Sequence, residues 1–300
     1  MTKTLISIVG PTAIGKTALS IKLAQHFNTE IISADSRQFY KEMNIGTAAP
    51  SLEELNTAKH HFIQHKSIKD DYSVGDFERE AISKIEEIHQ EHSTAIMVGG
   101  SGLYVKAITK GLDYFPEVDS SIREGLNNEL KTNGLNDLQE QLKLLDPIAY
   151  KTIAIDNPQR VIRALEICIG THKPYSSFLT NPEKIRNFKT ISIGLDAERS
   201  IIYDRINQRV DIMIANGLLE EAKALVPFKH LNALNTVGYK ELFNYFEGNS
   251  TLEVAISEIK KNTRRFAKRQ LTWFRKDKSI KWFDFETEVA NIIKFIEEKI

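Results

Sequence analysis

What this chain lacks narrows its class before any motif is read. It has a single cysteine, Cys168, which excludes an internal disulfide framework, and the apolar ALEICI setting makes that thiol a buried helix position in a reducing compartment. No apolar run reaches membrane-spanning length, and no charged leader with a cleavage site precedes the first apolar segment, so the expectation is a cytoplasmic protein with no membrane partner. Neither sign of charge dominates: 40 basic residues balance 40 acidic ones, and nothing global announces nucleic acid. Internal repeats and low-complexity tracts are missing. The 300 residues, 41% hydrophobic, suffice for one large core or two modest ones, and nothing demands more than a monomer.

What is present begins with Leu5–Thr17, LISIVGPTAIGKT. A short apolar run feeds a Gly-x-x-x-x-Gly-Lys-Thr segment, after which a helical pattern starts at Ala18. Gly10 and Gly15 let the backbone turn N–H groups inward at a helix N-terminus, whose dipole favours an anion. Lys16 adds a point charge, and Thr17 offers a hydroxyl placed to ligate Mg2+. A phosphate or diphosphate ligand follows; whether it is a nucleoside triphosphate stays open. A second buried strand, Glu30–Ala34, delivers Asp35, Ser36, Arg37 and Gln38 at its carboxyl end, where open parallel sheets bind ligands. Asp35 is either a helix cap or magnesium-associated carboxylate, or a general base.

The pattern then runs through a Gly/Pro-punctuated excursion at Phe39–Pro50 and a strand at His60–Ile68 with His61, Ile63 and His65 on one face. No Cys, Asp or Glu accompanies these histidines at ligand spacing, and no metal is assigned there. A helix after Asp76 buries Phe77, Ala81, Ile85 and Ile88. Thr94–Val98 is a further strand, closed by Gly99-Gly100-Ser101-Gly102, and it lacks the following Asp that holds magnesium in P-loop ATPases. Between Asp113 and Phe188 only helical patterns occur, separated by turns at Asn133-Gly134, Asp146-Pro147 and Asn181-Pro182. A strand at Thr190–Leu195 follows, then a long helix at Glu198–Leu225 and a shorter one from Tyr239. The predicted fold is α/β, a P-loop NTPase-like parallel sheet flanked by helices: residues 1–112 and 189–300 form the core, with an all-helical subdomain, 113–188, inserted.

Charge is concentrated near the end. Lys260, Lys261, Arg264, Arg265, Lys268, Arg269, Arg275, Lys276, Lys278 and Lys281 face one acid, Asp277, in the same stretch. A helix at Thr251–Arg275 would carry Ile259, Phe266 and Trp273 as a core stripe and Arg264 and Lys268 on a face suited to phosphate backbone.

With these features assembled, the chain resembles the bacterial tRNA dimethylallyltransferases, also called tRNA isopentenyltransferases, over nearly its whole length. The resemblance rests on GPTAIGKT at 10, ADSRQFYKEMNIGTAAP at 34, YSVGDFERE at 72, GGSGLY at 99, NPQRVIRALEI at 157, NTVGYKE at 235 and RRFAKRQLTWFR at 264. Ser101 stands where that family usually has Thr. The resemblance implies transfer of a dimethylallyl group from dimethylallyl diphosphate to N6 of the adenosine immediately 3′ of certain tRNA anticodons, with Mg2+ as cofactor. It assigns the diphosphate to Gly10, Pro11, Thr12, Ala13, Ile14, Gly15, Lys16 and Thr17 with Arg205, catalysis to Asp35, Lys16, Thr17 and Arg209, and the metal to Thr17. Contacts to the tRNA anticodon stem-loop fall to Asp35, Ser36, Arg37, Gln38, Ser101, Arg123, Gln159, Arg160, Val161, Ile162, Arg163, Asn235, Thr236, Val237, Gly238, Tyr239 and Lys240, besides Arg264 and Lys268. The competing readings are a nucleotide or small-molecule kinase, an adenylate isopentenyltransferase acting on free nucleotide, and a non-catalytic RNA-binding protein. The large insert and basic helix argue against the first two, and an intact Lys16, Thr17 and Asp35 against the third.

Overall fold

In the computed structural model, which describes residues 3–180 and 184–300, apolar runs become strands buried on both faces. β1 (Thr4–Val9) leads through the 10–17 loop into α1 (Lys16–Phe27), and β2 (Ile31–Ser33), α2 (Leu52–Thr57), β3 (His60–His61), α3 (Val74–Glu91), β4 (Thr94–Val98) and α4 (Gly102–Thr109) follow. Four helices come next: α5 (Ser120–Asn133), α6 (Leu135–Leu145), α7 (Pro147–Thr152) and α8 (Pro158–Thr171). The alternation resumes with β5 (Lys189–Asp196), α9 (Arg199–Ala215), α10 (Leu218–Leu225), α11 (Tyr239–Phe246), α12 (Leu252–Phe274), β6 (Lys281–Asp284) and α13 (Val289–Glu297). The chain divides into two compact units, one of residues up to Thr109 with Ile185–Ile300, the other Lys110–Lys184. The expected Asn181-Pro182 turn lies outside the described residues.

In the first unit the sheet runs β3-β2-β4-β1-β5-β6 with every pairing parallel. This is the expected α/β class, because parallel strands need helical crossovers that cover both faces. Leu5, Ile6, Ile8, Ala95, Ile96 and Met97 are fully buried, so β1 and β4 read as continuous apolar runs rather than alternating ones. Ser73 and Asp76 form a reciprocal capping box that starts α3, which then buries Phe77, Ala81 and Ile85 completely; each such side chain contributes about 1.5–3 kcal/mol.

Three local expectations are corrected. The strand at His60–Ile68 stops after His61, because Phe62 and Gln64 take φ of 64° and 48° and turn the chain out of extended geometry. The single helix expected over Glu198–Leu225 breaks at Gly217, whose φ of 98° only glycine adopts without strain; the flanking apolar spacing hides the break. On α12, Ile259 is core, but Phe266 and Trp273 are 38% and 41% exposed. Ala255, Ala267, Gln270 and Phe274 take the buried positions beside Ile259.

The second unit packs α5, α6 and α8 around Leu126, Leu138, Leu142, Val161, Ile162 and Leu165. Asn157 caps α8 by accepting from the N–H groups of Gln159 and Arg160. Cys168 is buried here and its sulfur accepts from the Tyr175 N–H.

Candidate active site

Beyond the carboxyl ends of β1, β2 and β4, three turns converge. The 10–17 loop leaves β1 with Gly10, Ala13 and Gly15 at φ of 144°, 66° and 108°, and Gly15 stands at the N-terminus of α1. Lys16 Nζ donates to the Pro11 carbonyl at 2.7 Å. Arg205 Nε donates to the Ala13 carbonyl at 2.7 Å, so α9 braces the loop from outside. Ile14 is buried in the core and anchors the loop's base. The Thr17 hydroxyl has no protein hydrogen bond among the described residues.

The turn after β2 carries Asp35. One carboxylate oxygen accepts from the Arg37 N–H at 3.1 Å. The turn is fixed from β4: the Ser36 N–H donates to Ser101 Oγ at 3.1 Å. Arg37 donates to the carbonyls of Asn232 and Ala233. Gln38 accepts from the Ser33 hydroxyl and donates to the carbonyls of Thr47 and Ala48, which ties the 39–50 excursion to the sheet.

Burial pushes the Lys16 ammonium down to about 8, with the Asp35 carboxylate opposing the drop and the Arg209 guanidinium adding to it. Burial likewise lowers Arg209, and Arg205 adds to the effect while Asp35 opposes it. A cluster of desolvated cations whose nearby carboxylates do not offset their burial is a site whose electrostatics favour a further anion.

A cavity of about 880 Å³ opens from this cluster, entirely within the first unit. Thr12, Asp35, Ser36, Ser101 and Arg209 line one part of it; Val210, Met213, Leu218 and Ile259 make an apolar wall; and Asn235, Thr236, Val237, Gly238 and Lys240 continue the lining. Phe266, Arg269 and Trp273 of α12 also border it. The apolar spacing of α12 therefore marks a cavity wall as much as a core.

Two expected contact residues do other work here. Tyr239 is fully buried and its hydroxyl donates to Glu221 at 2.7 Å, so its side chain packs in the core of this unit. Glu221 also accepts from the N–H groups of Asn44, Ile45 and Gly46, clamping the excursion onto α10. Arg264 donates to Asn207 Oδ1 and lies over the Tyr203 ring, while Lys268 is exposed and makes no ion pair among the described residues.

In the second unit Arg123 and Arg163 both bind the carboxylate of Glu166. Val161 and Ile162 are fully buried in that unit's core. Gln159 and Arg160 are exposed. No group of three or more His, Cys, Asp or Glu among the described residues could hold a metal ion. Sequence reasoning missed Glu221 and Gln270, whose partners lie far off in the chain. Gln270 is buried, accepts from the Thr12 N–H and donates to the Gly100 carbonyl.

Comparison with known proteins is consistent across the chain. A model of the IPP transferase family matches residues 38–277. The chain is 65% identical over 300 residues to a tRNA dimethylallyltransferase of Christiangramia forsetii, covering 100% of this chain and 99% of that protein. It is 60% identical over 304 residues to one of Flavobacterium johnsoniae, covering 99% and 98%. Among solved structures it resembles the full-length tRNA isopentenylpyrophosphate transferase of Bacillus halodurans, with TM-score 0.74, 40% identity and coverage of 99% and 96%. It also resembles a eukaryotic dimethylallyltransferase acting on tRNA, with TM-score 0.81, 27% identity and coverage of 99% and 80%.

Proposed function

The chain belongs to the IPP transferase family of tRNA-prenylating enzymes, and from that premise we propose that it transfers a dimethylallyl group from dimethylallyl diphosphate to N6 of the adenosine 3′ of the anticodon. The observation that carries this reading is the single cavity that joins Thr12 of the 10–17 loop, Asp35 and Arg209 to an apolar wall. The diphosphate lies against the loop N–H groups, Lys16 and Arg209, and the five-carbon chain against Val210, Met213 and Leu218. Arg205 serves by holding Ala13 in place.

The adenine cannot reach this cavity while stacked in an anticodon loop and is flipped into it. N6 attacks the allylic carbon, the bond from that carbon to the diphosphate oxygen breaks, and Asp35 accepts the amine proton. Lys16 and Arg209 stabilise the charge that collects on the departing pyrophosphate. Magnesium fits the hydroxyl of Thr17 at the start of α1 together with diphosphate oxygens, since that ion is usually held by few protein ligands and several phosphate oxygens; bound there it would neutralise leaving-group charge. Ser36, Arg37, Ser101 and residues 235–238 with Lys240 border the flipped nucleotide, and Lys268 and Arg265 meet backbone phosphates. Exposed Gln159 and Arg160 of the helical unit grip the stem-loop.

The test is incubation with labelled dimethylallyl diphosphate, undermodified tRNA and magnesium, with ATP as the competing donor. Label appearing in the anticodon loop supports the reading; consumption of ATP with the prenyl donor untouched overturns it.

A further inference from the structure

Gln270 sits on α12 with only 6% of its surface exposed, between the cavity-lining Phe266 and Trp273. Both ends of its amide are used. Oε1 accepts from the Thr12 N–H at 2.9 Å, and Nε2 donates to the Gly100 carbonyl at 3.0 Å. The amide orientation is unambiguous, because an N–H needs an acceptor and a carbonyl needs a donor.

The Thr12 N–H and the Pro11 carbonyl belong to one peptide plane. That plane is therefore gripped on both sides, by Gln270 on the N–H and by Lys16 Nζ on the carbonyl at 2.7 Å. Were a diphosphate to draw Lys16 away, the plane would keep its side-chain bond to Gln270. At its other end Gln270 reaches the turn whose next residue, Ser101, accepts from the Ser36 N–H at 3.1 Å, one residue past Asp35. A Cβ at Gly100 would come within 2.2 Å of Gln270 Nε2, so glycine is required there for this approach.

We propose that Gln270 is a positioning residue for prenyl transfer: it fixes the Pro11–Thr12 peptide of the donor loop and, through Gly100 and Ser101, sets the spacing between that loop and Asp35. The inference rests on the prenyl-transfer reading above. It also makes α12, whose outer face carries the basic residues, the part that holds donor loop and base-bearing turn in register. Only a side chain with an acceptor and a donor at its tip does this; leucine offers neither, and glutamate offers both only when protonated.

The experiment compares Gln270→Leu and Gln270→Glu with the unaltered full chain. It reads kcat with dimethylallyl diphosphate and undermodified tRNA, the tRNA Kd, and inorganic pyrophosphate binding by calorimetry. Gln270→Leu is expected to lower kcat roughly 10–100-fold, the scale of a misplacement near 1 Å, and to weaken pyrophosphate binding severalfold with the tRNA Kd within about twofold. For Gln270→Glu, the ratio of its kcat to that of the unaltered chain rises as pH is lowered from about 8 to about 5.5, because the protonated carboxyl restores both bonds. The proposal is overturned by kcat within twofold for both variants, by a tRNA Kd that rises in step with the loss of kcat, or by a ratio that stays flat with pH. Should Gln270→Leu fail to fold, the near-isosteric Gln270→Glu decides alone. If the unaltered chain transfers no prenyl group, the functional reading fails, and the pyrophosphate arm still judges whether Gln270 shapes the loop.

Discussion

In the helical unit, Arg123 and Arg163 each reach the carboxylate of Glu166 at 2.8 Å. Around the 10–17 loop, Lys16, Arg205 and Arg209 have no carboxylate within ion-pair distance among the described residues, although Lys16 and Arg209 both feel Asp35. The consequences run in opposite directions. The bond to Glu166 raises Arg123 above its ordinary range against its burial, whereas burial wins at Lys16 and Arg209 and lowers both. A cation already matched to an acid serves the fold; one held out of water without a matching anion costs stability and is kept for a ligand.

The largest break in that contrast is expected at Asp35, the acid whose charge both Lys16 and Arg209 feel. Asp35→Ala should lower kcat about 10²–10⁴-fold, the range for losing a general base, with tRNA affinity nearly unchanged in a filter-binding titration. Loss of tRNA binding with chemistry intact would move Asp35 from proton acceptor to docking residue.

Lys16 sharpens the contrast through pH. Its ammonium titrates at about 8 in the folded chain against 10.5 ordinarily, so the unfolded chain holds more protons between those values. Stability without ligand therefore rises across that window, and below about pH 8 Lys16 carries a cost on the order of 3 kcal/mol. Lys16→Met should melt higher than the unaltered chain at pH 7, with the difference vanishing by pH 10.5. Pyrophosphate affinity should move the other way, falling roughly tenfold as pH goes from about 7 to about 9 in the unaltered chain and staying weak and flat in Lys16→Met. An equal pH slope in both would show that Lys16 is not the titrating group.

How much of this was legible beforehand follows from where each signal lies in the chain. The 10–17 loop, Asp35 and the doubly buried strands were readable because their information is local: a motif, a strand end, an apolar run. The helices between Ser120 and Thr171 were equally readable from their caps and turns. Gly217 was not, because the apolar spacing of α9 continues through α10 and only a backbone angle separates them. The alternation of His60–Ile68 mimicked a strand whose hydrogen bonds stop after two residues. Phe266 and Trp273 share a heptad with Ile259, and spacing alone does not distinguish a cavity wall from a core. The Gln270 bridge joins positions 258 residues apart, a distance no local pattern encodes. Val161, Ile162 and Tyr239 belong to motifs expected at the RNA and are buried; a motif carries buried residues together with the exposed neighbours they hold.

Glu166 tests the matched side of the comparison. Burial alone would raise its carboxyl, but the bonds from Arg123 and Arg163 more than offset this and hold it below the usual range. Glu166→Gln removes the charge and keeps the shape, and since both arginines are 40% exposed they relax partly into water. The expected loss is about 1–3 kcal/mol, read as a lowered Tm with pyrophosphate affinity unchanged. Because the folded pKa is depressed, this contribution is present at neutral pH and fades as pH falls through it. A drop in pyrophosphate affinity would join the two charge systems that the comparison separates.

The smallest effect divides α12 by the same rule. Lys260 is matched, its Nζ 2.6 Å from Asp211, and Lys261 pairs with Glu258; Lys268 is exposed and makes no ion pair among the described residues. An unmatched cation that meets a tRNA phosphate releases a counterion, adding about 0.7–0.9 to the slope of log Kd against log salt concentration. A cation already held by an acid adds less, because breaking its pair offsets what the phosphate gives. Lys268→Ala should therefore shrink the slope by nearly one contact, and Lys260→Ala should leave it within error, in tRNA titrations between about 50 and 200 mM salt. Equal losses would mean that pairing within the protein does not decide which cations RNA uses, and an unchanged slope for Lys268→Ala would return that face of α12 to solvated surface.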